Sequence, residues 1–317
     1  MSFPVFDLHC DTALALLEPE NGKKSDLYEN DLHVDLMRAR SLPGYAQCFA
    51  CFTTPFMLDW NKTSPELVFQ QELEGILNQL QINAGIIRQA FGAEDVERNH
   101  QDGLMSAILT IEGPAGFGFD ASKLEELYKL GFRITTLGWN ERNVLAGSHK
   151  TGGGLTDQGR EYMKEAQRLG YIVDVSHLSD EGFWDMIDIT EKPIIASHSN
   201  ARAVCGVSRN LTDDMFNAIC QTGGVAGLNL YSGFIGINPT LDTVCDHILH
   251  WLELDPDGKH IALGGDLDGC EELPAGFDGV QSYSALANKL LERGVGEAIV
   301  RDIYWNNALG VMAKCCM

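Results

Sequence analysis

The sequence predicts an α/β fold, a single (β/α)8 barrel of the TIM type that takes residues 1–317 as one domain. Three observations lead there. Eight short runs rich in β-branched and aromatic residues alternate with longer amphipathic segments, the pattern of βα units around a parallel sheet. With 317 residues, 44% of them hydrophobic, the chain has enough apolar material for one large core, and no Pro/Ser-rich or charge-rich linker divides it. Histidines and carboxylates recur where the runs end, and barrel enzymes assemble their sites at that end of the strands.

The runs fall at residues 5–9, 45–52, 104–112, 132–137, 171–176, 193–197, 224–230 and 260–266. Eight suit a closed barrel better than an open sheet. The glycine fingerprint of a dinucleotide fold is absent, as are a P-loop, a GxSxG elbow and an HExxH helix. Between the second and third strands, Ser64-Pro65 opens a long helix expected to reach about Phe91, with proline where its missing N–H does no harm. Ser122 precedes a KLEELYKL helix closed by Gly131. Residues 156–170, 179–190 and 212–223 read as helices that start on the hydroxyl caps Thr156, Ser179 and Thr212.

Charge narrows the function. Forty-five acidic against 23 basic residues give a net charge of −22, which repels phosphate backbones and anionic lipids, so neither nucleic acid nor membrane is an expected partner. No stretch reaches the roughly 20 apolar residues that span a bilayer. The start has no basic leader region, its first lysine being Lys23, and the end, Lys314-Cys315-Cys316-Met317, matches neither a GPI tail nor a prenylation box. The expectation is a soluble cytoplasmic protein with reduced thiols, because nine cysteines is an odd number for a disulfide framework. Cys48 and Cys51 form a CxxC, but odd spacing in a strand sends the two side chains to opposite faces.

Strand one ends His9-Cys10-Asp11, where a spacing of two puts imidazole and carboxylate on one side of an extended chain, within reach of one cation. Strand three ends in Glu112 after an apolar run, where an unpaired charge is expensive and a metal would compensate it. Strands five and six deliver His177 and His198, and neutral imidazole is a good zinc ligand. Each residue alone reads as a hydrogen-bonded loop residue. Five of them at one face of four strands match a site for two divalent cations, with Glu112 suited to bridge them.

Strand eight supplies Gly264-Gly265-Asp266-Leu267-Asp268-Gly269, which fails as a calcium loop because the twelfth position counted from Asp266 is Phe277. Asp266 reads as general base and acid for a metal-activated water, and Asp268 as a turn residue. Arg209, eleven residues past His198, suits either a clamp for a substrate carboxylate or a surface salt bridge. His33, His100, His247, His250 and His260 read as surface or structural residues.

The pattern HxD, IEGP, DVSH, SHSNAR, SRN and GGDLDG, spread over almost the whole chain, resembles the membrane dipeptidase (renal dipeptidase) family of the amidohydrolase superfamily. The resemblance is to a soluble, bacterial-type member, since nothing in the sequence supports an anchor. It implies a binuclear zinc metallopeptidase: His9 and Asp11 would bind one Zn2+, His177 and His198 the other, and Glu112 both. It further implies hydrolysis of dipeptides, those with a C-terminal D-residue included, by a hydroxide between the metals, with Asp266 shuttling the proton. Arg209 matches the family position that binds the C-terminal carboxylate. After strand four the family often carries a histidine that polarises the scissile carbonyl, and the aligned position here is Trp139, which leaves Asn140, Arg142 or the metal as the electrophile. His149, in a Gly-rich loop, is expected not to fold back. No lysine stands in strand four to bridge metals as in other superfamily members; Lys129 and Lys150 lie outside it.

Two other readings stay open. One is hydrolysis of another small amide, an N-acyl amino acid or a β-lactam. The other is a metal-binding protein without catalysis, which would lack a working Asp266. A homodimer is the base-rate expectation for assembly.

Overall fold

The protein is described by a computed structural model over residues 2–17, 26–60 and 62–316; Lys23 and Met317 lie outside the described residues. Eight parallel strands form the barrel: β1 Val5–Cys10, β2 Tyr45–Phe52, β3 Met105–Glu112, β4 Phe132–Thr135, β5 Ile172–Asp174, β6 Ile194–Ala196, β7 Val225–Leu228 and β8 Ile261–Leu263. Pairing runs from β2 through β1, then β8 down to β3. The circle closes where β2 pairs with β3 from Ala46↔Ser106 to Phe52↔Glu112. The expected (β/α)8 barrel is the observed one.

Five of the strands, β4 to β8, end before their apolar runs do because the chain leaves the regular ladder as it nears the C-terminal mouth. Backbone bonds nevertheless continue there: Val175 N donates to Ile195 O at 2.8 Å, and Gly264 N to Leu228 O at 3.1 Å. The capped helices also fall where expected, at Asp157–Leu169, Asp180–Ile189 and Asp213–Thr222. Thr156, Ser179 and Thr212 each accept a bond from the backbone N–H three residues on.

One expectation fails. The helix opened by Ser64 runs Pro65–Ile82 and stops well short of Phe91. Asn83 ends it, its amide donating to the Gln79 carbonyl at 2.9 Å, and buried Ile87 then enters a short strand, Ile87–Gln89, beside the start of β3. Side-chain burial in the sheet overrides helical propensity there.

Alternation along the strands separates two apolar layers. Phe6, Leu8, Ile108, Ile134, Ile172, Ile195, Val225 and Ala262 meet inside the barrel. Residues such as Leu109, Ile111, Val173 and Leu263 face the surrounding helices. Cys48 packs inward and Cys51 outward, as their odd spacing predicts.

The inner layer would be open to water at the N-terminal mouth if nothing covered it. A π-helical turn, Asp302–Asn306, and the helix Asn307–Cys315 do so, placing Trp305, Ala308, Val311, Met312 and Cys316 against the inner residues. The Trp305 ring sits 5.9 Å from that of Phe6. Only the C-terminal mouth is left for chemistry. Among the described residues no helix is long and apolar enough to cross a membrane.

Trp305→Ala is expected to remove about 3–5 kcal/mol of unfolding free energy through the cavity it leaves. Urea denaturation measures it, and a loss under about 1 kcal/mol would show that the floor of the barrel is not a packed part of its core.

Candidate metal centre

The site begins with a break in strand regularity. Register slips between Asp7 and Cys10 on β1. Leu8 packs inside the barrel and Cys10 outside, so the irregularity re-aims His9 into the mouth beside Asp11. The buried Asp7 carboxylate holds this turn, accepting from the backbone N–H of His9 and of Gly265, both at 3.0 Å, and from the Tyr283 hydroxyl. Opposite, His198 enters a narrow space. A Cβ on Gly264 would lie 1.7 Å from Ser197 O, and one on Gly227 would lie 1.9 Å from it, so only glycine lets these strands approach. His177, Asp266 and Asp268 adopt left-handed φ angles of 73°, 56° and 66°. Non-glycine residues hold that conformation at a cost, and such strain gathers at functional sites.

The five ligand-type residues and Asp266 come together at this mouth. Glu112 lies between the others: its Oε2 is 3.2 Å from His9 Nε2 and its Oε1 is 3.0 Å from His177 Nε2. Asp11 Oδ2 and Asp266 Oδ1 approach His9 Nε2 at 3.4 and 3.9 Å. The imidazoles of His9 and His198 stack with centroids 3.9 Å apart. Ligand atoms of His9, Glu112 and His198 lie within 4.8 Å of one another, as do those of His9, Asp11 and Asp266.

Hydrogen bonds fix which ring nitrogens face inward. Ser197 Oγ donates to the buried Asp174 carboxylate, so it accepts from His198 Nδ1, 2.6 Å away. Asn140 Oδ1 accepts from His177 Nδ1 at 3.1 Å. The protons therefore sit on both Nδ1 atoms, and the two Nε2 lone pairs face each other across 2.9 Å. Lone pairs repel unless a cation or proton lies between them. Among the described residues His9 Nε2 and Asp11 Oδ1 are also buried without a hydrogen-bond partner. Nitrogen and carboxylate donors in this arrangement suit a divalent metal such as zinc.

Electrostatics agree. Burial, reinforced by Asp11 and Asp266, pushes the Glu112 carboxyl up to about 8. Burial likewise raises Asp266, with Asp11 adding to it. His177 and His198 are held well below the ordinary histidine value, first by burial and then by cationic neighbours, Arg209 for His177 and His9 for His198. His9 goes the other way. Burial pulls it down, but Glu112 and Asp11 together raise it well above normal.

Arg209 is 4% exposed, which rules out the surface salt bridge. Its Nη1 donates to Ser199 Oγ and its guanidinium lies over the Phe234 ring, while buried Nε and Nη2 have no partner among the described residues. Trp139 stands beside the site, its ring T-shaped to that of Phe52 with centroids 5.3 Å apart, and its centroid 6.4 Å from that of His177. Asp268 turns away from the centre, accepting from Thr12 Oγ1 at 2.6 Å and from the His33 backbone.

The expectation for His149 is overturned. Positive φ at Gly152 and Gly153 turns its loop back, and the imidazole reaches within 6.3 Å of the His177 ring. Burial, with Arg209 next, pulls it down to about 4. The sequence reading also passed over Asp7, Asp174, Ser197 and Asn229, whose amide donates to Asp266 Oδ2 at 2.9 Å. A signal existed for the two aspartates, which interrupt the apolar runs of β1 and β5 where a carboxylate needs strong donors.

The family described as membrane dipeptidase (peptidase family M19) matches residues 1–315. An uncharacterized dipeptidase of Schizosaccharomyces pombe is 32% identical over 332 aligned residues, covering 98% of this chain and 80% of that protein. Among solved structures, a metallo peptidase from Rhodobacter sphaeroides, liganded with a phosphinate mimic of the dipeptide L-Ala-D-Ala, is similar with a TM-score of 0.88 and 26% identity over 99% of this chain and 100% of that one. The dipeptidase AC, a metallo peptidase of family M19, also scores 0.88 at 26% identity, over 100% of this chain and 99% of its own. The agreement runs along the whole barrel rather than over one motif, and this protein therefore belongs to the membrane dipeptidase family, peptidase family M19.

Proposed function

We propose that the protein is a zinc-dependent dipeptidase whose substrates include L-Xaa-D-Xaa dipeptides. The observation that carries this is a pairing of opposite needs at one mouth: lone pairs and carboxylates that require cations, beside a buried guanidinium with two nitrogens that require an anion. A dipeptide supplies the anion as its C-terminal carboxylate, and the D-residue follows from the phosphinate bound to the Rhodobacter relative.

His9 and Asp11 would hold one Zn2+, His177 and His198 the other, and Glu112 would offer one oxygen to each half. The chemistry supplied by zinc in this cradle is a nucleophilic water near neutral pH and polarisation of the peptide carbonyl. Asp266 handles the proton. Asn229 holds its Oδ2, leaving Oδ1 on the His9 side to accept a proton and return it to the leaving amine, and its raised affinity for protons suits that exchange. Arg209 fixes the free carboxylate in a planar two-point contact. Trp139 and Phe52 form an apolar wall for a substrate side chain. A metal-binding protein without catalysis would have no use for a carboxylate held as Asp266 is.

The same proposal takes residues 1–317 as one domain, supported by the family match over 1–315. It also takes the protein as a cytoplasmic one that forms a homodimer. All nine thiols are free, the state a reducing compartment maintains, and a two-fold dimer is the commonest closed assembly.

Adding zinc at about 100 times its dissociation constant should stabilise the metal-free protein by about 2.7 kcal/mol, read as a rise in Tm by differential scanning fluorimetry. An unmoved Tm would remove the metal cradle. Asp266→Asn should lower dipeptide turnover about a hundredfold or more while zinc content by mass spectrometry stays at the wild-type level. Retained turnover would take Asp266 out of the mechanism. Converting the dipeptide's C-terminal carboxylate to an amide should cost about tenfold to a hundredfold in kcat/KM, and equal rates would sink the role given to Arg209.

A further inference from the structure

We propose that His149 is a positioning residue: its imidazole straps the loop carrying Arg209 to the histidine His177, and thereby sets the span between carboxylate clamp and metal centre that a substrate must match. The inference rests on the proposed function and adds a determinant of specificity to it.

The strap is continuous. Asn140 Oδ1 lies 3.1 Å from His177 Nδ1 and 2.7 Å from His149 Nε2. An amide oxygen only accepts, so both ring nitrogens donate to it. His149 Nδ1 is then a bare lone pair, and Ser208 Oγ, 3.1 Å away, donates to it. Ser208 directly precedes Arg209. The backbone adds two further stitches on the His177 side: His149 N donates to His177 O at 2.9 Å, and Ser148 Oγ to Asn140 O at 2.7 Å.

Both nitrogens of His149 are thus engaged by the protein. The ring offers no spare donor to a substrate carbonyl, so its role is to hold and not to polarise. A second link joins the same two loops further out, where Arg202 pairs with Asp180 through two bonds of 2.7 Å and donates to Ser208 O. Asp180 is half exposed, and ion pairs in that setting contribute little. The inner strap, although its bond to Ser208 is itself exposed, is the link that reaches the residue directly beside Arg209. Its loss would let the guanidinium move relative to the metal centre, and misplacement of such a clamp weakens substrate capture before it touches the chemical step.

The test uses the full-length zinc-loaded protein as wild type, His149→Ala, His149→Gln and Ser208→Ala. Turnover is measured on a dipeptide and its C-terminal amide, and calorimetry follows binding of the phosphinate mimic of L-Ala-D-Ala. His149→Ala and Ser208→Ala are expected to raise KM for the dipeptide and weaken phosphinate binding by about tenfold, the loss of one or two hydrogen bonds, with kcat within about twofold. Zinc content should not change, and the preference for the dipeptide over its amide should shrink. His149→Gln, which carries a donor and an acceptor at similar separation, should restore most of the binding. Unchanged KM and phosphinate affinity in both truncations would overturn the inference. So would a fall in kcat at constant KM, which would put the imidazole in the chemistry itself. Should the wild type cleave no dipeptide, the functional reading fails separately, and the phosphinate series still decides the strap. If His149→Ala does not fold, Ser208→Ala decides it from the other end.

Discussion

Three carboxylates and three imidazoles share one buried space at the mouth of the barrel, and the cost of keeping them together without a compensating cation is the constraint on which the site depends. Glu112 shows the size of that cost, its carboxyl displaced to about 8 by burial and by its acidic neighbours. Like charges removed from water repel strongly, and Arg209, the buried arginine at this mouth, has a side-chain hydrogen bond among the described residues at only one nitrogen. The arrangement makes physical sense as a preorganised cradle: the strain is held by the fold in advance, so that a metal meets ligands already oriented. Asp174 through Ser197, Asn140 and Asp7 do the orienting, and partners of this kind set ligand tautomer and ring direction.

The barrel divides its labour between its ends. At one end, regular strands and a covering helix make a dry apolar interior. At the other, the same strands stop obeying regular geometry: β1 slips register, three non-glycine residues take left-handed angles, and two glycines admit a close backbone. Stability is concentrated in the first region and spent in the second, as the rule that functional sites carry the strain leads one to expect.

Much of this was legible in the chain. Each of the eight barrel strands announced itself as an apolar run, and the five ligand-type residues and Asp266 stood at or just past the end of one, so fold and metal site could be read from the same pattern. Glu112 is the plainest case, a charge closing eight buried residues. Where the reading failed, long-range contacts decided the outcome. Asn83 is a local mark of the helix end at Ile82, but a weak one, and the deciding stabilisation comes from β3, about 20 residues on. His149 was misjudged for the same reason: a Gly-rich loop permits many paths, and the one taken is selected by Asn140, Ser208 and the His177 carbonyl, which no spacing rule brings together.

The apolar floor laid by residues 305–316 has a consequence for biogenesis. During synthesis all eight strands are available before Trp305, Met312 and Cys316 emerge, so the barrel can begin to assemble while its lower layer still faces solvent. In that interval the nascent chain exposes a ring of isoleucine, valine and phenylalanine side chains that resembles the open end of a pipe, a surface that chaperones recognise and that other nascent chains can adhere to. Docking of the helix Asn307–Cys315 is thus the step that turns a sticky cylinder into a sealed vessel, and it ties the yield of usable enzyme to a segment remote from the residues at the C-terminal mouth.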